Sequence, residues 1–269
     1  MRTKTIVFTA LLTALAVIIK ILFDVSVPVA GVQALRISFA GVFLRFASVV
    51  FGPFAGGASA GLADVIKHFI KPEGAYLPPL TVTAIINGIL VALLWRLVKN
   101  AEIKKYRVFF AAFFVLLGCW GIINTLTIKF ASGGFYLDFL RQIGVQNELT
   151  NTSGIFISFQ RVQATVGPVI ISAAALITFA AVKKIPKSDF LPEYLRILFA
   201  TGVPCLLYTT VNTEILRMYF LLPEKAFLLL WIPRFIEEAI MVMLNGYLLY
   251  VLMRAFKKVY PDTDGLRGK

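Results

Sequence analysis

LRISFAGVFLRFASVVFGPFAGGASAGLADVIKHFIKPEGAYLPPLTVTAIING, residues 35–88, sets ionisable side chains inside and at the edges of apolar helical runs. Two such runs meet at a corner made by Gly52 and Pro53. A polar loop follows, and a third apolar run comes after it. The charges are Arg36, Arg45, Asp64 and Lys67, with His68 beside them. An ionisable group in hydrocarbon costs several kcal/mol unless it is paired or faces a cavity. So many on one short hairpin point to the lining of a solute site.

Composition sets the solvent. Of the 269 residues, 59% are hydrophobic, and the mean hydropathy is +0.83. Apolar runs near the length of a bilayer crossing recur along the chain, which predicts a polytopic helical membrane protein. The alternating short strands of a transmembrane β-barrel are not seen. The first run begins at Ile6 with no cleavage-like site after it, and reads as a retained helix rather than a signal peptide. The formal net charge of +13 would suggest nucleic acid in a soluble protein. Here it fits cytoplasmic loops rich in Lys and Arg. One histidine and two isolated cysteines cannot build a dedicated metal site. Cys119 and Cys205 lie inside apolar runs, which argues against a structural disulfide.

Eight membrane runs are predicted, at about 5–23, 36–51, 54–70, 79–98, 107–129, 157–182, 194–220 and 227–255. The second is short: sixteen residues rise roughly 24 Å against a hydrocarbon core of about 30 Å. Short helices with Gly and Pro suit a site sunk below the membrane surface. Basic residues gather in the loops 96–107 and 183–196, at the C-terminal end, and at Arg2 and Lys4. An even count of eight puts all of them on one side, so both termini are expected in the cytoplasm. The loops 24–36, 71–78, 131–156 and 221–226 are then expected outside.

The second half carries a weak repeat. Asn124-Thr125 with Lys129 resembles Asn212-Thr213 with Arg217. Each follows a basic residue, Arg107 or Arg196, and precedes an arginine at the start of the next run, Arg161 or Arg234. This reads as a duplicated helical hairpin, with chance similarity of apolar helices as the alternative.

Several residues are candidates for chemistry. Ala10 and Ala14, four apart, make a small-residue face that lets another helix approach closely, although ordinary packing gives the same pattern. Gly52-Pro53, Gly56, Gly57 and Gly61 give the third run a smooth face, and Asp64 follows on it. Asp64 is either a ligand group or half of a buried pair with Arg45. Lys67 and His68 stand at the outer end of that run beside Tyr76, which can cover a ligand. Solvated charges at a helix end are the plain alternative. Asn212 and Thr213 offer hydrogen bonds to a heterocycle, and Arg217 and Arg234 offer forks to an anion. Pairing of Arg234 with Glu237 or Glu238 along the helix is the competing reading. Arg36 and Lys67 suit an anionic group, and Phe39, Tyr76 and Phe135 suit an aromatic ring.

Taken together, Ala10-xxx-Ala14, Leu35-Arg-Ile-Ser-Phe39, Gly52-Pro-Phe-Ala-Gly56, Asp64, Gly74-Ala-Tyr76-x-Pro78, Asn212-Thr213 and Pro233-Arg234 resemble a known family. It is the substrate-binding S component of energy-coupling factor (ECF) vitamin transporters, closest to the folate-type branch. The resemblance covers most of 1–100 and 194–257. It implies a six-helix bundle with a vitamin site near the outer face. It also implies that Ala10 and Ala14 meet a transmembrane coupling subunit driven by two cytoplasmic ATPases. Residues 107–183 would then be an additional hairpin beside that core within a single membrane domain.

The expectation is an all-α integral membrane protein that captures a vitamin-like solute, folate-like as a first guess. Its site is expected to draw on Arg36, Phe39, Asp64, Lys67, His68, Tyr76, Asn212, Thr213, Arg217 and Arg234. No Gly-rich P-loop occurs, so energy comes from partner subunits or an ion gradient. A stand-alone secondary transporter is the alternative, but the repeat is parallel and takes in only half the chain. An intramembrane peptidase built on Glu237-Glu238 lacks the His and Asn partners it needs, so no catalysis, metal or cofactor is expected.

Overall fold

The computed structural model describes residues 3–29, 32–72, 74–101, 103–130, 166–183, 190–224 and 226–260. In chain order the elements are α1 (Thr3–Leu22), β1 (Val25–Val29), β2 (Val32–Ile37), α2 (Gly41–Phe51), α3 (Pro53–Ile70), α4 (Pro78–Val98), α5 (Ile103–Phe130), α6 (Val166–Lys183), α7 (Phe190–Tyr219) and α8 (Ala226–Val259). Among the described residues, five helical stretches are long and apolar enough to cross a membrane: Thr3–Leu22, Pro78–Val98, Tyr106–Thr127, Phe190–Tyr219 and Leu230–Val259.

Two expectations are corrected. The bundle is helical, as expected, but the link from α1 to α2, expected as a loop, is a hairpin in which β1 and β2 pair antiparallel, with Val25 opposite Ile37 and Ser26 opposite Arg36. The register shifts between Val27 and Pro28, where proline has no N–H to give the ladder. The alternation Val25, Val27, Val29 is a period-two signal that the loop reading passed over. Consequently Arg36 and Ile37 belong to a strand, and α2 begins only at Gly41. Its 11 residues rise about 16 Å, too little to cross a bilayer alone.

Gly52 ends α2 at φ 97°, a conformation that favours glycine, and Pro53 opens α3 where a missing N–H is harmless. A β-carbon at Gly52 would also lie 2.9 Å from a terminal nitrogen of Arg96. The glycine face of α3 packs on α4. A β-carbon on Gly56 would come within 2.7 Å of the Gly88 carbonyl oxygen, so the two backbones touch. α1 lies against α2 and α3, α4 against α7, and α7 against α8. α5 and α6 pack on each other, and α5 also meets α7.

A core of Val42, Phe46, Val49, Trp95, Ile197, Leu249 and Met253 joins α2, α4, α7 and α8 at one end of the bundle. Beside it Phe8 stacks on Phe51, and Phe256 meets both rings edge-on. Away from that core the same helices enclose polar side chains.

Candidate functional site

The cavity among α2, α3, α4, α7 and α8, with loop 71–77 at its edge, has a volume of about 730 Å³. Small-molecule sites range over about 300–1,000 Å³. Four cationic side chains line it, Lys20, Arg45, Lys67 and Arg234, against three carboxylates, Asp64, Glu237 and Glu238. Pro204 and Pro233 interrupt α7 and α8 beside it, each removing a backbone N–H and freeing a carbonyl. Such irregular backbone is tolerated at membrane depth where it lines a cavity.

Loop 71–77 is tied to α3 and α4 by a relay. Thr81 Oγ1 donates to Asp64 Oδ2 at 2.7 Å. Its single proton is thereby used, so the Tyr76 hydroxyl donates to Thr81 at 2.9 Å. The Tyr76 ring also lies 5.0 Å from the His68 ring. Lys67 is buried on the same helix and faces the cavity. On the opposite wall, Thr83 donates to Asn212 Oδ1 at 2.6 Å, leaving the amide nitrogen of Asn212 as a donor. Arg234 Nη1 donates to Thr213 Oγ1 at 3.2 Å, and Thr213 donates to the Thr209 carbonyl.

A second polar group joins α2 to α8. Arg45 Nη2 donates to Glu238 Oε1 at 3.1 Å, and Thr209 reaches Glu238 Oε2 at 3.4 Å. Asn245 Nδ2 donates to the Ser38 carbonyl at 3.3 Å. Arg45 Nη1 and Asn245 Oδ1 are buried with no hydrogen-bond partner among the described residues.

Of the ten side chains expected from the sequence, Asp64, Lys67, His68, Tyr76, Asn212 and Arg234 line this cavity. Thr213 stands behind Arg234, fully buried. Arg217 lies outside the lining and is held by Glu214, its Nε donating at 2.8 Å. Phe39 is 42% exposed, outside the lining, and Arg36 is placed in β2 opposite Ser26. Phe135, Gly144 and Arg161 lie outside the described residues. The Arg45–Asp64 pair is not formed: Asp64 is taken by Thr81 and Arg45 by Glu238. Glu238 pairs across helices with Arg45, while Arg234 also lies within reach of the charges of Glu237 and Glu238.

Sequence reasoning missed Asn87 and Asn245, and did not connect Arg45 to Glu238. Both asparagines sit alone in apolar runs, and a polar residue at such depth is itself a signal. Ala10 and Ala14 are exposed on α1, while Thr13, Ala16 and Val17 turn inward.

Apolar helices around a partly open cavity lined by both polar and apolar side chains fit a membrane protein that binds a small solute. The model of the family "ECF-type riboflavin transporter, S component" matches residues 1–184, and the chain belongs to that family. It is a transporter component and not an enzyme. The folate transporter FolT of Clostridium novyi (strain NT) is similar to it. The two are 20% identical over 132 residues, 49% of this chain and 72% of that protein. No solved structure matches.

Proposed function

We propose that the chain captures a vitamin or vitamin-like molecule from outside the cell. It then delivers the molecule through an ECF transmembrane coupling subunit and two cytoplasmic ATPases. The observation that carries this reading is the 730 Å³ cavity whose walls mix hydrogen-bonding side chains, both signs of charge and the ring of Tyr76. A folate-like ligand is the first choice. The relative's name supports it, and Lys20, Lys67 and Arg234 provide cations for an acidic tail, against which Glu237 acts. Riboflavin is the second reading, favoured by the family model. Mass spectrometry of the small molecule that co-purifies decides between them. A secondary transporter would co-purify without ATPases, and that result would overturn the delivery reading.

We also infer that α7 and α8, rather than α5 and α6, complete the six-helix core, with 107–183 as an additional hairpin. The cavity's lining residues, which come from 20–91 and 205–245, support this. The extent of the family model, through residue 184, favours the other hairpin, so a direct comparison is needed. Arg234→Ala removes a charge-assisted donor from the cavity and weakens binding by at least about tenfold. Lys129→Ala in α5, the counterpart of Arg217 in the first copy of the repeat, changes affinity less than about threefold. Titration calorimetry with folic acid and with riboflavin reads both. A larger loss for Lys129→Ala would assign the ligand to the first hairpin.

The topology reading keeps eight crossings with both termini cytoplasmic, counting the short α2 together with the extended residues before it as one crossing; the clustering of Lys and Arg in alternate loops supports it. A cysteine at Gly144 should therefore react with an impermeant maleimide added to whole cells. Labelling that appears only after permeabilisation would sink that topology.

A further inference from the structure

Thr83 lies outside the cavity lining, yet it is bonded to a side chain that belongs to it. It sits on α4 between Leu80 and Asn87, one turn from each, and both of those line the cavity. Its partner Asn212, on α7, is buried. The bond therefore joins two helices at the edge of the site.

Proton bookkeeping fixes how that bond runs. The Thr83 hydroxyl has one proton and two acceptors in reach, the Leu80 carbonyl at 2.8 Å and Asn212 Oδ1 at 2.6 Å. Leu80 lies inside α4, where its carbonyl accepts the N–H four residues on. Asn212 Oδ1 has no other donor among the described residues. The 2.6 Å separation also suits O–H···O, which runs from about 2.5 to 3.0 Å, and is short for N–H···O, which starts near 2.7 Å. Turning the amide over would set its nitrogen at that short distance instead. The proton thus goes to Asn212 Oδ1.

The Asn212 amide nitrogen makes no hydrogen bond among the described residues. Unlike Arg45 Nη1 and Asn245 Oδ1, it is not sealed in protein, and it keeps accessible surface on a side chain that lines the cavity. Arg234, bonded to the next residue Thr213, adds a guanidinium that carries only donors.

We infer that Thr83 is a positioning residue. It holds the Asn212 amide so that Nδ2 donates to an acceptor on the captured molecule, a ring carbonyl or an unprotonated ring nitrogen. The assignment rests on the capture reading and adds the sense of one hydrogen bond and the group that sets it. Without the Thr83 hydroxyl, the amide offers its oxygen as readily as its nitrogen. Binding then loses part of what Asn212 contributes, and only through Asn212.

The test titrates the purified full-length protein with riboflavin and with folic acid, which both carry ring carbonyls and ring nitrogens. Thr83→Val keeps the branched shape, removes the hydroxyl and weakens binding about fivefold. Thr83→Ser restores the hydroxyl and binds within about twofold of the unaltered protein. Asn212→Ala weakens binding at least about tenfold, and adding Thr83→Val to it costs no more than about twofold further. A Thr83 that only holds α4 against α7 would give losses that multiply, and that result overturns the assignment. So does equal binding by Thr83→Val and Thr83→Ser, a comparison that stands even if the Asn212 variants fail to fold. Asn212→Asp keeps an acceptor for Thr83 but puts an oxygen where the nitrogen was. Full binding by that variant would mean that an oxygen faces the molecule, which overturns the assignment while leaving capture intact. Silence of the unaltered protein toward both compounds also overturns it, and the co-purified small molecule then decides the capture reading separately.

Discussion

Glu238→Ala lowers the stability of the purified protein by about 3–5 kcal/mol, because it strands Arg45 as an uncompensated buried charge. The side chains of Arg45 and Glu238 are only 12% and 22% exposed, which puts the pair in the buried regime rather than among surface ion pairs. Arg45→Ala is affected less, since the carboxylate keeps Thr209 and borders the polar cavity. Replacing both partners with methionine fills the space without a charge and recovers stability to within about 1–2 kcal/mol. That double variant folds but does not bind. Denaturant titration in detergent, on both single variants and the double, gives the coupling between the two sites. Strictly additive losses would mean that the pair contributes nothing to holding α2 against α8.

Ala14→Trp abolishes uptake in cells while leaving ligand affinity of the isolated protein within about twofold. Ala10→Trp does the same. Both alanines are exposed on α1, on the flank of the helix beside the buried Thr13 and Val17. Neither lines the cavity. A bulky ring there prevents the close backbone approach that a small-residue face permits, without reaching the ligand. The proposed partner at this face is the coupling subunit, so the variants should also fail to co-purify with it. An equal fall in affinity and uptake would reassign the two alanines to packing of the binding unit itself.

Much of the architecture was readable because the bilayer is a demanding solvent. Apolar runs of bilayer length mark helices, and every run predicted between 54 and 129 or between 194 and 255 coincides with a helix in the structure. The Gly52-Pro53 corner and the glycine face of α3 were legible because glycine and proline act through local sterics. Lone charges in apolar surroundings likewise pointed to a polar interior, and Asp64, Lys67, His68, Asn212 and Arg234 all reach it. The hairpin of β1 and β2 was passed over although its alternation was present. The reason is that a short period-two signal beside a long apolar run is easily absorbed into the run.

The partners of those charges were decided by the tertiary structure alone. Arg45 could have met Asp64, 19 residues away on the adjoining helix, yet it meets Glu238, 193 residues away. Helical periodicity says which side chains share a face but not which face of another helix lies opposite. That choice follows from how α2, α7 and α8 pack around Phe46, Ile197 and Leu249, a many-body fit of shapes that leaves no local trace. The same packing withdrew Arg217 to Glu214 and brought Asn87 and Asn245 to the cavity wall. From the sequence came the solvent, the helices and the presence of a polar site. From the packing came which polar atoms are satisfied within the protein and which, Arg45 Nη1 and Asn245 Oδ1 among them, are buried with no hydrogen-bond partner among the described residues.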